Sequence, residues 1–423
     1  MPRVWRPSPT ERDMTLAKPT ILFVDDEKGV LDGLRRSLYA QRDEWNQVFA
    51  VGGQEAVAIL EKQALDVVIT DMRMPGMDGA TLLDRVRALQ PEAARIVLSG
   101  FSVREAIFRT VGPAHQYYVK PCPPQTLVEA IRRALAVRRA LRSPPLLALV
   151  GGATSIPALP KAITELFSEL QSPEGSAAEV ARIIAQDVGL TVNLLKLTNS
   201  GFFYIPSAVT DVLQAVKMLG FEMVRALAVL AGVFESFSCA GIDCQAVKQL
   251  ERRSLEIGAL ARGIAESGNA PRSAVEQAQC AGMLAHVGSL LLFAQWPGPV
   301  AELRKDLDRS GGDIITAERT ALGASHAELG GVLLGLWGFT DPVVEAVLFH
   351  HHPSNCAFRS SCTDAPIAAV HAAQHLIKPV PEGKDAKEHW ESGLDLEFLS
   401  EIGAVSKVAD WAELATSIRK EYE

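Results

Sequence analysis

Short apolar runs that end in polar residues alternate with amphipathic helical stretches over the first third of the chain. The helical stretches include 30–39 and 54–61, and the last of them begins near Gln125. Buried parallel strands are apolar on both faces, so five such alternations predict a doubly wound α/β domain with a five-stranded parallel sheet. The predicted strands are 20–24, 47–51, 65–70, 95–98 and 116–119.

The pattern changes after Ile156, where apolar residues recur at spacings of three and four and the strand-like runs end. This periodicity predicts an all-α second half. The predicted helices include 180–185, 191–197, 211–219, 222–234, 249–266 and 275–293, and after a charged loop at 379–388 a further helix at 394–408.

The two patterns are separated by prolines and glycines between Ser143 and Gly152, which indicates a domain boundary. The basic run 132–142 before this boundary is interpreted as a solvated helix end and dimer surface. It carries no interleaved aromatic residues, and no helix-turn-helix pattern follows it. The predicted segments are a disordered N-terminal lead 1–17, an α/β domain 18–142, a linker 143–152, an all-helical domain 153–380, and a C-terminal loop and helices, 381–423, that complete the helical domain.

Composition narrows the class of protein. The chain has 423 residues, 48% hydrophobic content and a formal net charge of −8, which favours a globular protein of two or three domains without an overall nucleic-acid footprint. The longest apolar stretch, 283–294, is interrupted by His286 and is too short to span a bilayer. The six cysteines form no CxxC pair, so reduced thiols in the cytoplasm are expected.

Acidic residues and a lysine follow three of the predicted strands. Asp25 and Asp26 follow the first strand, Asp71 the third, and Lys120 the fifth. Because the carboxyl ends of parallel strands meet at one edge of a sheet, these side chains are expected to converge. Clustered carboxylates repel one another without a cation, and Mg²⁺ prefers carboxylate, water and phosphate oxygens as ligands. The pattern therefore predicts a Mg²⁺ and phosphoryl site.

The block TDMRMPGMDG, at 70–79, makes the prediction more specific. With it, residues 18–142 resemble the receiver domain of two-component response regulators. The resemblance implies that Asp71 accepts a phosphoryl group as an in-line nucleophile. It also implies a set of Mg²⁺ ligands: Asp25, Asp26, Asp71 and the backbone carbonyl of Arg73.

The same resemblance assigns three further roles. Lys120 would contact the phosphoryl oxygens, aimed by Pro121, which is often cis in this family. Ser99 would donate its hydroxyl to the new phosphoryl group, and Tyr117 is the aromatic residue expected to change rotamer on activation. Tyr118 should point to the opposite face of the strand, so one tyrosine should be buried and the other mobile.

The helical half resembles the HDOD family, the HD-related output domain, over about residues 153–380. The matching blocks are IPALP at 156–160, Asp187, Leu194-Leu195, Asn199-Ser200-Gly201, Ala215 with Leu219-Gly220, AGMLAHVGSLLL, ERTALGASHAELGGVLLGLWGF and HHHP.

The resemblance also implies a degenerate metal centre. Active HD phosphodiesterases hold two metals with a His-Asp pair in a sequence such as LLHDIGK. Here Ala285 replaces the histidine and His286 replaces the bridging aspartate, while Arg253 and Gln374 stand near two other ligand positions. No Gly-Tyr-Pro follows the HHHP run. An alanine cannot ligate, and a neutral imidazole cannot bridge two cations, so the helical half is not expected to be an enzyme.

The histidines that remain, His326 and the run His350-His351-His352, have two interpretations. One is a residual single-metal or nucleotide pocket. The other is a set of core and cap histidines whose ring nitrogens bond to carbonyls or to Glu318, and the missing bridging acid favours this second interpretation.

Together these features predict a cytoplasmic response regulator. Its expected partners are a sensor histidine kinase and an unidentified protein that binds the HDOD half, with homodimerisation through the receiver also compatible with the sequence. Neither a membrane nor direct nucleic-acid binding is expected. Two alternatives are an HD-type cyclic-dinucleotide phosphodiesterase with an atypical metal site and a nucleic-acid regulator that uses the basic helix.

Overall fold

Five parallel strands form a single sheet in the order β2-β1-β3-β4-β5. A computed structural model describes residues 18–100, 113–141, 143–172, 175–199, 208–220, 223–224, 244–310, 312–356, 364–378, 389–390 and 392–422. Val24 pairs with Thr70, and Ser99 pairs with Val119, so the carboxyl ends of these strands share one edge. The predicted doubly wound sheet is confirmed. The strands are β1 (Thr20–Asp25), β2 (Asn46–Val51), β3 (Val67–Thr70), β4 (Ala94–Ser99) and β5 (Gln116–Val119).

Four described helices belong to this domain. They are α1 (Lys28–Ser37), α2 (Gly53–Leu60), α3 (Gly79–Leu89) and α4 (Pro124–Arg138), with a 3₁₀ turn at Tyr39–Asp43. The Asp78 side chain accepts a hydrogen bond from the Thr81 backbone N–H and caps the start of α3.

The second half is helical throughout its described residues, as predicted. Its helices are α5 (Pro144–Gly152), α6 (Pro160–Gln171), α7 (Ala177–Ala185), α8 (Val188–Thr198), α9 (Val212–Leu219), α10 (Cys244–Ser267), α11 (Arg272–Leu284), α12 (Val287–Gln295), α13 (Pro297–Ser310), α14 (Ile314–Leu322), α15 (His326–Leu336), α16 (Asp341–Phe349), α17 (Asp364–Leu376), α18 (Leu396–Glu401) and α19 (Val408–Tyr422).

Two predicted helices are each divided in the structure. The stretch 275–293 is broken at Ala285 and His286, and a helix buried on all sides carries no periodic signal that would reveal such a break. The stretch 394–408 contains α18, a 3₁₀ turn and the start of α19. Gly403, with φ of +68°, has a left-handed conformation that ends α18. The predicted loop 379–388 and most of the predicted helix 222–234 lie outside the described residues.

The segment 143–152, predicted as a linker, contains a helix that is fixed to the first domain. A Cβ atom on Gly151 would lie 2.2 Å from the Pro91 carbonyl oxygen, so only glycine allows this approach. The Gly151 carbonyl accepts hydrogen bonds from Arg95 Nη2 at 2.6 Å and His115 Nε2 at 2.9 Å. The segment that carries the boundary signal therefore packs against the first domain.

The hydrophobic core extends across the two halves of the chain. One face of the sheet, including Leu22, Val68 and Tyr117, packs into a cluster confined to the first domain. The other face, including Phe23 and Ile96, belongs to a cluster that continues through α4 and into the helical half. The stretch Arg272–Gln295 has the length and apolar composition of a membrane span, and 78% of its most apolar 18-residue window is buried inside this core.

Candidate functional site

Two buried carboxylates meet one lysine at the carboxyl edge of the sheet. Lys120 Nζ donates hydrogen bonds to Asp25 Oδ2 at 2.6 Å and to Asp71 Oδ1 at 2.5 Å. Asp25 is 2% exposed and Asp71 is 7% exposed. The three residues come from the ends of β1, β3 and β5, so the predicted convergence is observed.

Backbone groups hold both carboxylates in place. Asp25 Oδ1 accepts a hydrogen bond from the Glu27 N–H, and Asp71 Oδ2 accepts one from the Arg73 N–H at 2.6 Å. Gly79 closes the loop after β3, because a Cβ atom there would lie 2.1 Å from the Asp71 carbonyl oxygen. The last residue of the TDMRMPGMDG block, Gly79, must therefore be a glycine for steric reasons.

The charges at this edge are partly balanced by the lysine. Burial alone would lower the pKa of Lys120, but its hydrogen bonds to Asp25 and Asp71 outweigh that effect and raise the pKa above 10.5. Lys120 is therefore a permanent cation, held against both acids, and the Lys120–Pro121 peptide bond is cis.

The donor set fits the Mg²⁺ ion that the receiver resemblance implies. Asp25 and Asp71 face each other across Lys120, and Asp26, the next residue along, is exposed at the same strand end. Such hard carboxylate oxygens with access to water are the ligands that Mg²⁺ prefers. The ligand role of the Arg73 carbonyl stays a prediction.

The two tyrosines of β5 point to opposite faces of the sheet, as predicted. Tyr117 is buried in the cluster confined to the first domain, whereas Tyr118 is half-buried against the shared core. The proposed rotamer change of Tyr117 stays a prediction. The side chain of Ser99 and the segment 101–112 lie outside the described residues.

Strand β5 and helix α4 contact the helical half directly. Gln116 Nε2 donates to the Leu336 carbonyl at 3.0 Å and to the Gly335 carbonyl at 3.4 Å, both at the end of α15. A Cβ atom on Gly335 would lie 2.5 Å from Val137 Cγ1 in α4. We call Gln116, Val137, Gly335 and Leu336 the α4–α15 contact. Arg133 and Asp341 form an ion pair near this contact, at 3.1 Å.

Sequence reasoning missed Gln116 and gave Tyr118 no contact with the second domain. The Tyr118 hydroxyl donates to Gln116 Oε1 at 2.8 Å and so orients the amide that reaches α15. A signal was available, because a glutamine at the start of a buried strand needs polar partners.

The basic run 132–142 is not a solvated helix end, and this interpretation is corrected. Leu135, Val137 and Leu141 are buried, and Val137 lies against Gly335. Three of its arginines are paired: Arg132 with Glu44, Arg133 with Asp341 and Arg138 with Asp66. The helical half therefore covers part of the surface that sequence reasoning had assigned to a dimer.

The residues that the HDOD resemblance placed at the HD positions also lie near one another. Ala285 is buried at the end of α11, and His286 and His326 stack at 5.3 Å between ring centroids. His351 Nε2 lies 3.3 Å from His326 Nε2. His352 is exposed.

Two further residues, His350 and Glu318, belong to this cluster. His350 is fully buried, and its ring lies 5.7 Å from His286 and 5.4 Å from His326. Glu318, named from sequence as a partner for His351 or His352, instead bonds to His326 Nδ1 at 2.7 Å. Arg253 belongs to the same region, since its Nη2 donates to the Gln374 carbonyl at 3.3 Å.

Comparisons with known proteins agree with this two-part architecture. The family model for the response regulator receiver domain matches residues 21–132, and the family model for the HDOD domain matches residues 156–353.

Individual relatives match parts of the chain. The hydrogenase transcriptional regulatory protein HoxA of Cupriavidus necator is 40% identical over 125 residues, 29% of this chain and 25% of that protein. An uncharacterized protein of Treponema pallidum is 25% identical over 197 residues, 47% of this chain and 38% of that protein. The MmoQ response regulator of Methylococcus capsulatus has a crystal structure that is 25% identical, covering 59% of this chain and 97% of that chain, with a TM-score of 0.43.

The chain thus spans well under half of the length of these two curated relatives. The order of its parts is nevertheless clear from the sheet, the acidic edge and the two matched domains. The chain contains a response regulator receiver domain followed by an HDOD domain.

Proposed function

We propose that a sensor histidine kinase phosphorylates Asp71 and that the HDOD half passes the signal to another protein in the cytoplasm. The single observation that carries this proposal is the cluster of Asp25, Asp71 and Lys120, joined by hydrogen bonds of 2.5 and 2.6 Å. A lysine held against two acids at the edge of a parallel sheet is already positioned to contact a phosphoryl oxygen on Asp71.

In this proposal Asp25, Asp26 and Asp71 would hold Mg²⁺, and the bound ion would neutralise the acids and the incoming phosphoryl group. Asp71 Oδ1 is then free to attack once Lys120 shifts from the acid to the phosphoryl oxygens. The Arg73 N–H keeps Asp71 Oδ2 fixed during this change, which limits rotation of the carboxylate.

Strand β5 supplies the connection from the phosphorylation site to the output half. It has four residues, with Gln116 at its start and Lys120 directly after its end. A movement of Lys120 toward a phosphoryl group therefore acts on a short strand whose other end bonds to Leu336 in α15. We propose that phosphorylation weakens the α4–α15 contact and so exposes a protein-binding surface of the HDOD half.

The HDOD half acts in this proposal by binding rather than by catalysis. Ala285 and His286 occupy the positions of the His-Asp pair, and His286 is neutral because burial lowers the pKa of its ring well below 6.5. A neutral ring cannot bridge two metal ions as a carboxylate does, which removes the basis of two-metal phosphodiester cleavage.

The proposal is tested with acetyl phosphate and Mg²⁺, followed by intact-mass spectrometry. The wild-type protein should gain one phosphoryl group, the Asp71→Asn variant should gain none, and Asp26→Asn should need more Mg²⁺ for the same yield. Phosphorylation of the Asp71→Asn variant to the wild-type level would show that the acceptor is a different residue.

A further inference from the structure

Three buried histidines form a nearly equilateral triangle where helices of the HDOD half meet. The ring centroids of His286, His326 and His350 are 5.3, 5.4 and 5.7 Å apart. One ring nitrogen of each lies within 4.8 Å of those of the other two. All three side chains are 5% exposed or less.

Glycines make this arrangement possible. A Cβ atom on Gly288 would lie 2.1 Å from the His326 carbonyl oxygen and 2.7 Å from the Gly330 backbone nitrogen. The start of α12 therefore lies directly against the start of α15. Since His286 precedes α12 and His326 begins α15, the close backbone approach brings their rings together.

Hydrogen bonds fix which nitrogen of His350 and of His326 carries the lone pair. That of His326 is Nε2, which lies 3.3 Å from His351 Nε2, a contact that a bound ion would replace. His350 Nδ1 donates to the Val347 carbonyl at 2.7 Å, which leaves Nε2 unprotonated, and this buried Nε2 has no hydrogen-bond partner among the described residues. His326 Nδ1 donates to Glu318 Oε2, which also accepts from the His326 backbone N–H. A carboxylate or carbonyl on the far nitrogen is the usual support of a metal-binding histidine.

His286 completes the set. Its buried Nδ1 has no hydrogen-bond partner among the described residues. A buried polar atom without a partner is destabilising, and two such nitrogens in one cluster need an explanation.

A nearby histidine shows what a purely structural role looks like. His371 Nδ1 bonds to the His350 carbonyl at 2.8 Å, and its Nε2 accepts from the Asp395 N–H at 2.8 Å. Both of its nitrogens are therefore used in packing the fold. His286 and His350 differ from it in each keeping a nitrogen without a partner.

The charges near the triangle are mixed. Arg253 and Lys378 are close enough that their charges contribute to lowering the pKa of His286, and they oppose a bound cation. The Glu318 carboxylate, which bonds to the ring of His326, favours a bound cation. The two cations also favour an anionic group, such as hydroxide, on any position of the ion that the histidines leave open.

We propose that His286, His326 and His350 bind a single divalent transition-metal ion of the class that prefers imidazole ligands, with Zn²⁺ as the representative. Zinc–nitrogen bonds of about 2.0–2.1 Å around a tetrahedral ion separate the ligand nitrogens by roughly 3.3 Å, so the rings need only a small inward shift. Three neutral imidazoles exclude Mg²⁺ and Ca²⁺, which require oxygen ligands.

This site differs from a two-metal hydrolytic centre, because none of the described residues supplies a bridging carboxylate, and its three ligands lie entirely in the HDOD half. It reverses the preference drawn from the sequence, where the single-metal interpretation of His326 and the run His350-His351-His352 was the less favoured of two. Ion binding here does not depend on Asp71.

The test uses the full-length, metal-stripped protein titrated with Co²⁺ in excess Mg²⁺, which occupies the acidic receiver site. Cobalt bound by three imidazoles in a tetrahedral site absorbs strongly in the visible range, whereas cobalt on carboxylates and water absorbs weakly. We expect one equivalent to produce the strong band and Zn²⁺ to displace it.

Variants locate the ion. The band should be lost in His286→Ala and in His350→Ala, and Glu318→Gln should weaken Co²⁺ binding about 10- to 100-fold while keeping all three ligands. The matched control is His352→Ala, in the same histidine run but exposed, which should bind Co²⁺ as the wild type does. Circular dichroism verifies that each variant is folded.

The outcomes divide cleanly. Absence of a strong band in the wild-type protein overturns the proposal, and so does a band that survives both histidine substitutions or is lost equally in His352→Ala. If the two histidine variants do not fold, Glu318→Gln decides: unchanged affinity counts against the site, and the predicted weakening supports it.

Discussion

Replacing Gly335 with alanine should open the α4–α15 contact. The added methyl group would lie 2.5 Å from Val137 Cγ1 and 3.0 Å from Cγ2, well inside normal carbon–carbon contact. Overpacking of this kind costs about 1–3 kcal/mol. If the receiver and HDOD halves separate to avoid the clash, the separated population should rise by roughly 5- to 100-fold, at tenfold per 1.4 kcal/mol.

The HDOD half itself should stay folded in this variant. Alanine is preferred over glycine inside a helix by about 0.5–1 kcal/mol, so α15 should not be weakened. Hydrogen-exchange mass spectrometry of α4 and α15 reports the opening, and small-angle X-ray scattering reports the separation of the halves.

Two further variants control the experiment. Gly298→Ala adds the same methyl group in α13, where nothing lies within 4 Å of the new atom, and should not change the exchange. Val137→Ala removes the clashing methyl groups, so the double variant with Gly335→Ala should return toward the closed state. The reasoning is refuted if Gly335→Ala exchanges no faster than Gly298→Ala, or if Val137→Ala gives no rescue.

Three other predictions concern buried charges. Lys120→Met should destabilise the protein by about 1–3 kcal/mol in Mg²⁺-free buffer, because two charge-assisted hydrogen bonds are lost. Added Mg²⁺ should restore part of the lost stability. Thermal unfolding of the variant at the wild-type temperature would contradict this prediction. Burial lowers the pKa of His286 and His350 well below 6.5, so the unfolded chain takes up protons at a higher pH than the folded chain. As the pH drops below 6.5, the free energy of unfolding should decrease by up to about 1.4 kcal/mol per pH unit for each histidine. A melting temperature that does not fall between pH 6.5 and 5 would refute this. Burial, helped by the charge of Asp187, raises the pKa of Glu251. The contribution of this residue to the free energy of unfolding is therefore complete below pH 4.5 and is lost as the pH rises. Glu251→Gln should be more stable than wild type at pH 8, and equal melting curves there would count against it.

The sheet and the acidic edge could be predicted because local signals carry them. The β5 prediction coincides with the observed strand, and each of the other four predicted strands lies within two residues of the observed bounds. The convergence of Asp25, Asp71 and Lys120 follows from parallel strands sharing one edge, which needs no knowledge of side-chain packing.

Contacts between the halves could not be predicted in the same way. The approach of Gly335 to Val137 joins residues almost two hundred positions apart, and no periodicity in either helix marks it. The apolar residues of 132–142 were visible, but the arginines dominated the interpretation. Only the structure shows that Arg132 and Arg138 are paired while Leu135 and Val137 are buried.

The histidine triangle could be predicted from the sequence only in part. His350 was visible in the HHHP run, but the sequence could not show which of its three histidines points inward. In the structure His350 is fully buried, His351 is half-buried and His352 is exposed. That order depends on how α16 ends, which short-range patterns do not determine.

The most direct test of the account is hydrogen exchange of α15 with and without beryllofluoride and Mg²⁺, in the wild-type and Asp71→Asn proteins. The account predicts faster exchange in α15 and α4 of the wild-type protein on treatment, and no change in Asp71→Asn. A receiver that responds to beryllofluoride while α15 stays as protected as before, or an equal response in Asp71→Asn, would contradict it.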